Sequence, residues 1–162
     1  MKTVVITGAS TGIGRSAAEY LADIGCRVYA GVRKQADADE IADEARGLIP
    51  IILDVTKQDQ VDAAAETIRT ALDGQKLAGL VNNAGIANMG PLALQPQEDF
   101  EAHFTVNTFG QLRATQAFLP LLGMDETLQG DPGRIINITS VGGRLASPFL
   151  GAYTATKHAV ES

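Results

Sequence analysis

Thr7-Gly8-Ala9-Ser10-Thr11-Gly12-Ile13-Gly14 decides the fold. It follows an apolar run of strand length, Lys2–Thr7, and opens a segment, Gly12–Ile24, in which Ile13, Ala17, Leu21 and Ile24 recur at helical spacing. A strand, a glycine-rich turn and a helix in that order form the phosphate-binding start of a dinucleotide fold. Gly8 allows the tight turn, Gly12 lets a pyrophosphate approach the backbone, and Gly14 lets helix and strand pack closely. The helix N-terminus offers free N–H groups and partial positive charge to the anion. No Gly-Lys-Ser/Thr follows, which excludes a Walker A loop here. Taken alone, the glycines also fit a turn that binds nothing.

Outward from this turn, strand-length and helix-period segments alternate. Arg27–Val32, Leu48–Leu53, Leu77–Val81 and Arg134–Thr139 read as further strands. Asp37–Arg46 reads as a short helix, and Thr56 as the N-cap of a helix running to about Leu72. Gln97–Leu122 reads as one long helix weakened at Gly110, and Tyr153–Ser162 begins another. Buried strands separated by helices predict an α/β, doubly wound parallel sheet with helices on both faces. No linker or repeat divides the chain, so residues 1–162 are expected to form one domain.

Bulk properties narrow the function. The 162 residues are 45% hydrophobic and 20% charged, as in ordinary globular proteins. No run is long enough to cross a bilayer, and the start lacks a signal-peptide pattern, so a cytoplasmic protein is expected. A net charge of −6 speaks against general nucleic-acid binding. Cys26, the only cysteine, lies in an apolar stretch and reads as a buried, inert thiol. The two histidines, His103 and His158, belong to no cluster with metal-ligand spacing, so no metal site is expected.

Further motifs stand at strand ends. Asp54-Val55 follows the third strand, Asn82-Asn83-Ala84-Gly85 the fourth, and Ser140 the fifth. Asn107 lies inside the long helix. Tyr153 and Lys157 are four residues apart, on one helix face. Each alone has a bland reading: a strand-end carboxylate, an Asx turn, a turn serine, a tyrosine beside a surface lysine. Together, in this order, they resemble the short-chain dehydrogenase/reductase family, whose cofactor loop has the form Thr-Gly-x-x-x-Gly-x-Gly.

The resemblance implies a Rossmann-like domain that transfers a hydride between NAD(P) and a carbonyl or secondary alcohol. It implies a cofactor-binding set of Gly8, Ser10, Thr11, Gly12, Ile13, Gly14, Arg33, Asp54, Val55, Asn83, Ala84 and Gly85, joined by Tyr153 and Lys157. Asp54 would bond the adenine amino group. The catalytic set would be Asn107, Ser140, Tyr153 and Lys157. An ammonium near a phenol favours the phenolate, so Lys157 would lower the pKa of Tyr153, the general acid in reduction and base in oxidation. Ser140 would bond the substrate oxygen, and Asn107 would anchor a relay water.

Family members that use NAD tend to carry an acid at the end of the second strand. Here that end reads Ala30-Gly31-Val32-Arg33-Lys34. Arg33 suits a 2′-phosphate, so NADP is expected over NAD. Gly142–Leu150, apolar apart from Arg144, is expected to line the pocket and to suit a lipophilic substrate. Five strands are counted where the family has more, so the sixth strand and the closing segment would lie beyond Ser162, with the Tyr153 helix itself cut short. A homo-oligomer is expected through this helix and the preceding long one. A dinucleotide-binding module without turnover, or a fragment of a longer dehydrogenase, is the competing reading. An epimerase or dehydratase of the same superfamily is a third.

Overall fold

Parallel strands with neighbours on both sides bury both faces, so alternate residues feed two cores. In the computed structural model, which describes residues 1–162, β1 (Thr3–Ile6) sends Val5 to one core and Ile6 to the other. The element order is β1, α1 (Gly12–Asp23), β2 (Arg27–Val32), α2 (Gln35–Ile41), β3 (Leu48–Ile52), α3 (Gln58–Leu72), β4 (Gly79–Asn82), α4 (Gln97–Phe104), α5 (Gln111–Leu119), β5 (Arg134–Asn137) and α6 (Gly151–Glu161). All four strand pairings are parallel, in the order β3-β2-β1-β4-β5. This is the Rossmann-like α/β sheet.

Helices α1 and α2 cover one face, where Ala18, Ala22, Ala38 and Ile41 pack on Ile6, Val28, Ala30 and Val81. The small residues of α1 let it lie close on the strands. Helices α3 and α5 cover the other face, packing Val61, Ile68 and Phe118 on Val5, Tyr29 and Leu80. Each such fully buried side chain contributes about 1.5–3 kcal/mol of transfer free energy. The strand order reverses between β1 and β4, with β2 and β3 laid down on one side and β4 and β5 on the other, and ligands of such sheets sit at the carboxyl ends of the strands beside that point.

Several local expectations need correction. The helix of residues 37–46 divides into α2 and a separate tight turn over Glu44–Arg46, stopped by Gly47 in a left-handed conformation. Thr56 does not cap α3: Lys57 holds that position, and the Thr56 hydroxyl instead bonds Asp54. The path from Gln97 to Met124 is helical as expected but widens into π-type turns at Thr105–Gly110 and Pro120–Met124. Gly110 is required there because a Cβ would stand 2.6 Å from Val55 Cγ2. Helix α6 starts two residues before Tyr153. Cys26 is half-exposed rather than buried.

Strand β3 contains Pro50, and β3 is an edge strand. The N–H of Leu53 donates to Val32 of β2, so that of Pro50, three residues earlier, would point outward. A missing donor therefore costs this sheet no bond. At the other edge, Ile135 and Ile136 of β5 are 37% and 53% exposed. No helix is long and apolar enough to cross a membrane.

Candidate functional site

The turn between β1 and α1 is held from the side rather than from within. Thr7 Oγ1 accepts from the N–H groups of Asn83 (3.0 Å) and Ala84 (3.1 Å). Asn83 Nδ2 in turn donates to the carbonyls of Thr7 (3.0 Å) and Gly8 (2.9 Å). Asn83 is thus first a clamp on the glycine turn. The turn also explains its glycines. A Cβ on Gly8 would lie 2.7 Å from Ala84 Cα, and one on Gly14 2.4 Å from Asn83 Nδ2. Gly14 therefore makes room for the turn after β4, not only for helix–strand packing. Gly12 differs: its φ is +59°, and nothing lies within 4 Å of where its Cβ would be. That open space adjoins the start of α1, where Thr11 makes no side-chain cap and no acid occupies the first turn. The first N–H groups of α1 are left facing an open cradle, which fits a pyrophosphate. Ser10 and Thr11 flank it without side-chain hydrogen bonds, and Ile13 is 68% exposed beside it.

Two pockets extend from this cradle along the carboxyl ends of the strands. One, of about 150 Å3, is lined by Arg33, Leu53, Asp54, Val55, Ala84, Gly85 and Ile86. Asp54 Oδ1 accepts from the N–H and hydroxyl of Thr56, at 2.9 and 2.8 Å, which fixes the carboxylate and leaves Oδ2 free to accept. Val55 contributes mainly its wall: its side chain packs on Gly110 and its carbonyl accepts from Arg113. The guanidinium of Arg33 has no protein partner, and neither do Lys34, next to it in sequence, and Lys57, before α3.

The second pocket, about 220 Å3, is lined by Ile13, Asn83, Gly85, Ile86, Ile138, Tyr153 and Lys157. Gly85 and Ile86 are common to both pockets. Lys157 is 4% exposed, its Nζ donates to the Ile138 carbonyl at 2.8 Å, and it lies 5.8 Å from the Tyr153 ring centre. Burial lowers its pKa, since a low-dielectric site disfavours the ammonium. Ser140 Oγ accepts from Gly142 N–H at 3.1 Å, leaving its own proton free to donate. A Cβ on Gly142 would stand 3.4 Å from both Ser140 Oγ and Tyr153 Cε1, so this glycine keeps open the space the two share. Of the stretch Gly142–Leu150 expected as a pocket wall, Gly142 borders Tyr153 and Ser140, while Leu145 and Phe149 are 62% and 57% exposed.

Asn107 is completely buried behind this pocket. Its amide bonds both the N–H and the carbonyl of Ile86, and its Nδ2 also donates to Thr156 Oγ1 at 3.1 Å. Both amide protons are therefore committed to protein atoms, and the side chain clamps the Ile86 loop to α6. Sequence reading missed three residues. Thr156 joins Asn107 to the Tyr153 carbonyl, to which its hydroxyl donates at 2.6 Å. Gly142 looked like a loop glycine. His103 is fully buried, with Nε2 accepting from Asn88 N–H at 3.0 Å, so Nδ1 must carry the proton donated to Asp99 O. It fixes the loop after Gly85. The pairing of a helix histidine with a loop amide fifteen residues earlier leaves no sequence pattern.

Residues 2–162 match the family model for short chain dehydrogenase. The chain is 36% identical over 163 residues to an NADPH-dependent 3-dehydrocapnine reductase of Ornithobacterium rhinotracheale, covering 100% of this chain and 57% of that protein. It is 37% identical over 168 residues to the mitochondrial D-beta-hydroxybutyrate dehydrogenase of Bos taurus, covering 99% and 47%. Among solved structures, a short chain dehydrogenase/reductase of Burkholderia phymatum in complex with NAD superposes with a TM-score of 0.87 at 33% identity, covering 99% of this chain and 56% of that one. The chain thus spans about half the length of the proteins it matches.

Proposed function

From the premise that the chain belongs to the short-chain dehydrogenase/reductase family, we propose that it forms one dinucleotide-binding domain and acts in an NAD(P)-dependent interconversion of a carbonyl and a secondary alcohol. The observation that carries this reading is the second pocket. Its walls bring together Ile13 of the glycine turn, Asn83 and Gly85 of the turn after β4, and Tyr153 and Lys157 of α6. When bound, the nicotinamide supplies or accepts the hydride.

The chain's own residues hold and move the proton. Tyr153 carries it at its phenolic oxygen, giving it up in reduction and taking it in oxidation. Lys157, held by the Ile138 carbonyl, provides the charge that favours the phenolate. Ser140, with its oxygen already bonded by Gly142 N–H, directs its proton at the substrate oxygen. Asn107 and Thr156 hold α6 and the Ile86 loop in register.

NADP is the preferred dinucleotide in this reading. Arg33 lines the first pocket with no acid partner, and the second strand ends without a carboxylate. A relative's NADPH dependence supports it, although a solved neighbour holds NAD. Asp54 Oδ2 is placed to accept from an adenine amino group. Met89, Leu92, Leu145 and Phe149 are exposed on two loops tied by Gly90 N–H to the Phe149 carbonyl at 2.8 Å, which supports a lipophilic substrate. Exposed Phe109 and Leu112 on the long helical stretch support a homo-oligomer.

The test is titration with NADPH and NADH, followed by nicotinamide fluorescence. Saturable binding with NADPH preferred is expected. Failure of both to bind a folded chain would overturn the reading; a preference for NADH would overturn the cofactor assignment alone.

A further inference from the structure

Six of the basic side chains make no ion pair or hydrogen bond within the protein: Lys2, Arg33, Lys34, Lys57, Lys76 and Arg134. They are not scattered. Three follow the carboxyl ends of β2 and β3: Arg33, which lines the first pocket, Lys34 next to it in sequence, and Lys57 at the start of α3. The other three stand together at the opposite, amino-terminal end of the sheet, where Lys2 precedes β1, Lys76 precedes β4 and Arg134 begins β5. These are adjacent strands, and the three cations line one polar groove of about 670 Å3.

The rest of the lining is also rich in donors. The side-chain amides of Gln75 and Gln129 face the groove without protein partners, and the N–H groups of Gly130 and Asp131 make no bond to the chain. Gly130 holds a φ of +101°, and the Gln129 backbone is locked on both sides, by Gln129 N–H to Gly74 O and Lys76 N–H to Gln129 O, each at 2.8 Å. The groove wall is therefore fixed while its donors stay free. The single carboxylate in the lining, Asp131, pairs with none of the three cations. In a chain of net charge −6, this concentration of unneutralised cations and free donors in one concavity is the signature of an anion site.

We propose that this groove binds a small phosphate-bearing molecule of at least two negative charges, independently of the dinucleotide. Three cations arranged on neighbouring strands match an anion with several charged oxygens better than a single carboxylate. The site stands apart from the glycine turn by the length of β1, about 13 Å for four residues at the usual rise. It does not depend on the oxidoreductase reading.

The probe is inorganic tripolyphosphate, titrated into the chain at about 0.15 M ionic strength, where charges beyond about 8 Å are screened. Amide NMR reports where it binds. Saturable shifts at Gly130 and Asp131 are expected, together with a loss of affinity of roughly tenfold or more in Lys76→Gln/Arg134→Gln, the worth of one charge-assisted hydrogen bond. The same spectra show whether the variant is folded, and Lys2→Gln alone serves if it is not. Absence of binding overturns the proposal. So do shifts confined to Gly12–Arg15, which would place the anion at the start of α1, and binding that the groove variants leave unchanged.

Discussion

Asn107 grips both backbone groups of Ile86: Oδ1 accepts from its N–H at 2.8 Å and Nδ2 donates to its carbonyl at 2.9 Å. One side chain thereby fixes the loop that forms the shared wall of both pockets. It also reaches α6 through Thr156, so the tyrosine-bearing helix and the cofactor-facing loop are set against each other by a single buried amide.

Asn107→Asp removes the donor to two buried acceptors and aims an oxygen at them. Leaving such groups unpaired costs about 1–3 kcal/mol or more. At about 2–4 °C per kcal/mol for a chain of this size, thermal unfolding should shift down by several degrees. Thr156→Val should lower it less, and Thr156→Ser should restore it. An Asn107→Asp melting temperature equal to that of the parent would show that the clamp does not operate.

Tyr153→Phe should bind the dinucleotide as the parent does and lose turnover by about 100- to 10,000-fold, the usual worth of a positioned acid or base. Stopped-assay kinetics on any carbonyl substrate that the parent reduces would decide it. Parent-like turnover removes Tyr153 from the chemistry.

Arg33→Asp should invert the cofactor preference. A charge-assisted bond to a 2′-phosphate contributes about 1.5–3 kcal/mol, so NADPH affinity should fall by roughly tenfold or more while NADH affinity rises or holds. Competition binding reads both. Unchanged NADPH affinity places the 2′-phosphate elsewhere.

Gly14→Ala should abolish dinucleotide binding by displacing Asn83 from the turn. The added methyl would stand 2.4 Å from Asn83 Nδ2 and from the Gly8 carbonyl, displacing the clamp on the turn. Overpacking of this kind costs about 1–3 kcal/mol, so the chain should fold with a reduced melting temperature. Gly12→Ala, with open space around it, should fold better yet also lose binding; a variant that binds normally would contradict the cradle. Fluorescence titration of the two separates the causes.

Asp125, beside Arg69 and bonded by Thr127, has its pKa lowered from 3.8 to about 2. A depressed carboxylate pKa stabilises the fold above its unfolded value, and that stabilisation is lost as pH falls through the folded one. Asp125→Asn should therefore lower the melting temperature at pH 7, with the difference shrinking between pH 3.8 and about 2. A difference that stays constant across this interval would show that the carboxylate charge is not its source.

The sheet and the positions of its motifs were legible because each motif couples a residue type to a strand end. Gly8, Asp54, Asn83 and Ser140 all sit where a parallel strand delivers its last residue. What those side chains do there was less legible. Asn83 spends its donors on Thr7 and Gly8, and Asn107 spends its donors on Ile86 and Thr156, partners fixed only by tertiary packing. Thr56 misled for a local reason: Asp54, two residues before it, competes for its hydroxyl and wins. The expected full burial of Cys26 failed because it packs at the margin of the core formed with α1 and stays partly exposed.

Pro50 has a consequence for how such chains meet one another. Along β3 the outward positions are Leu48, whose N–H is taken by Asp43, then Pro50, which has none, leaving Ile52 alone with a donor. A foreign backbone arriving at this border finds no continuous row of donors and cannot zip onto it. Strand addition at this border, whether productive or the seed of an aggregate, is thus blocked by one imino acid and one occupied donor rather than by a covering element.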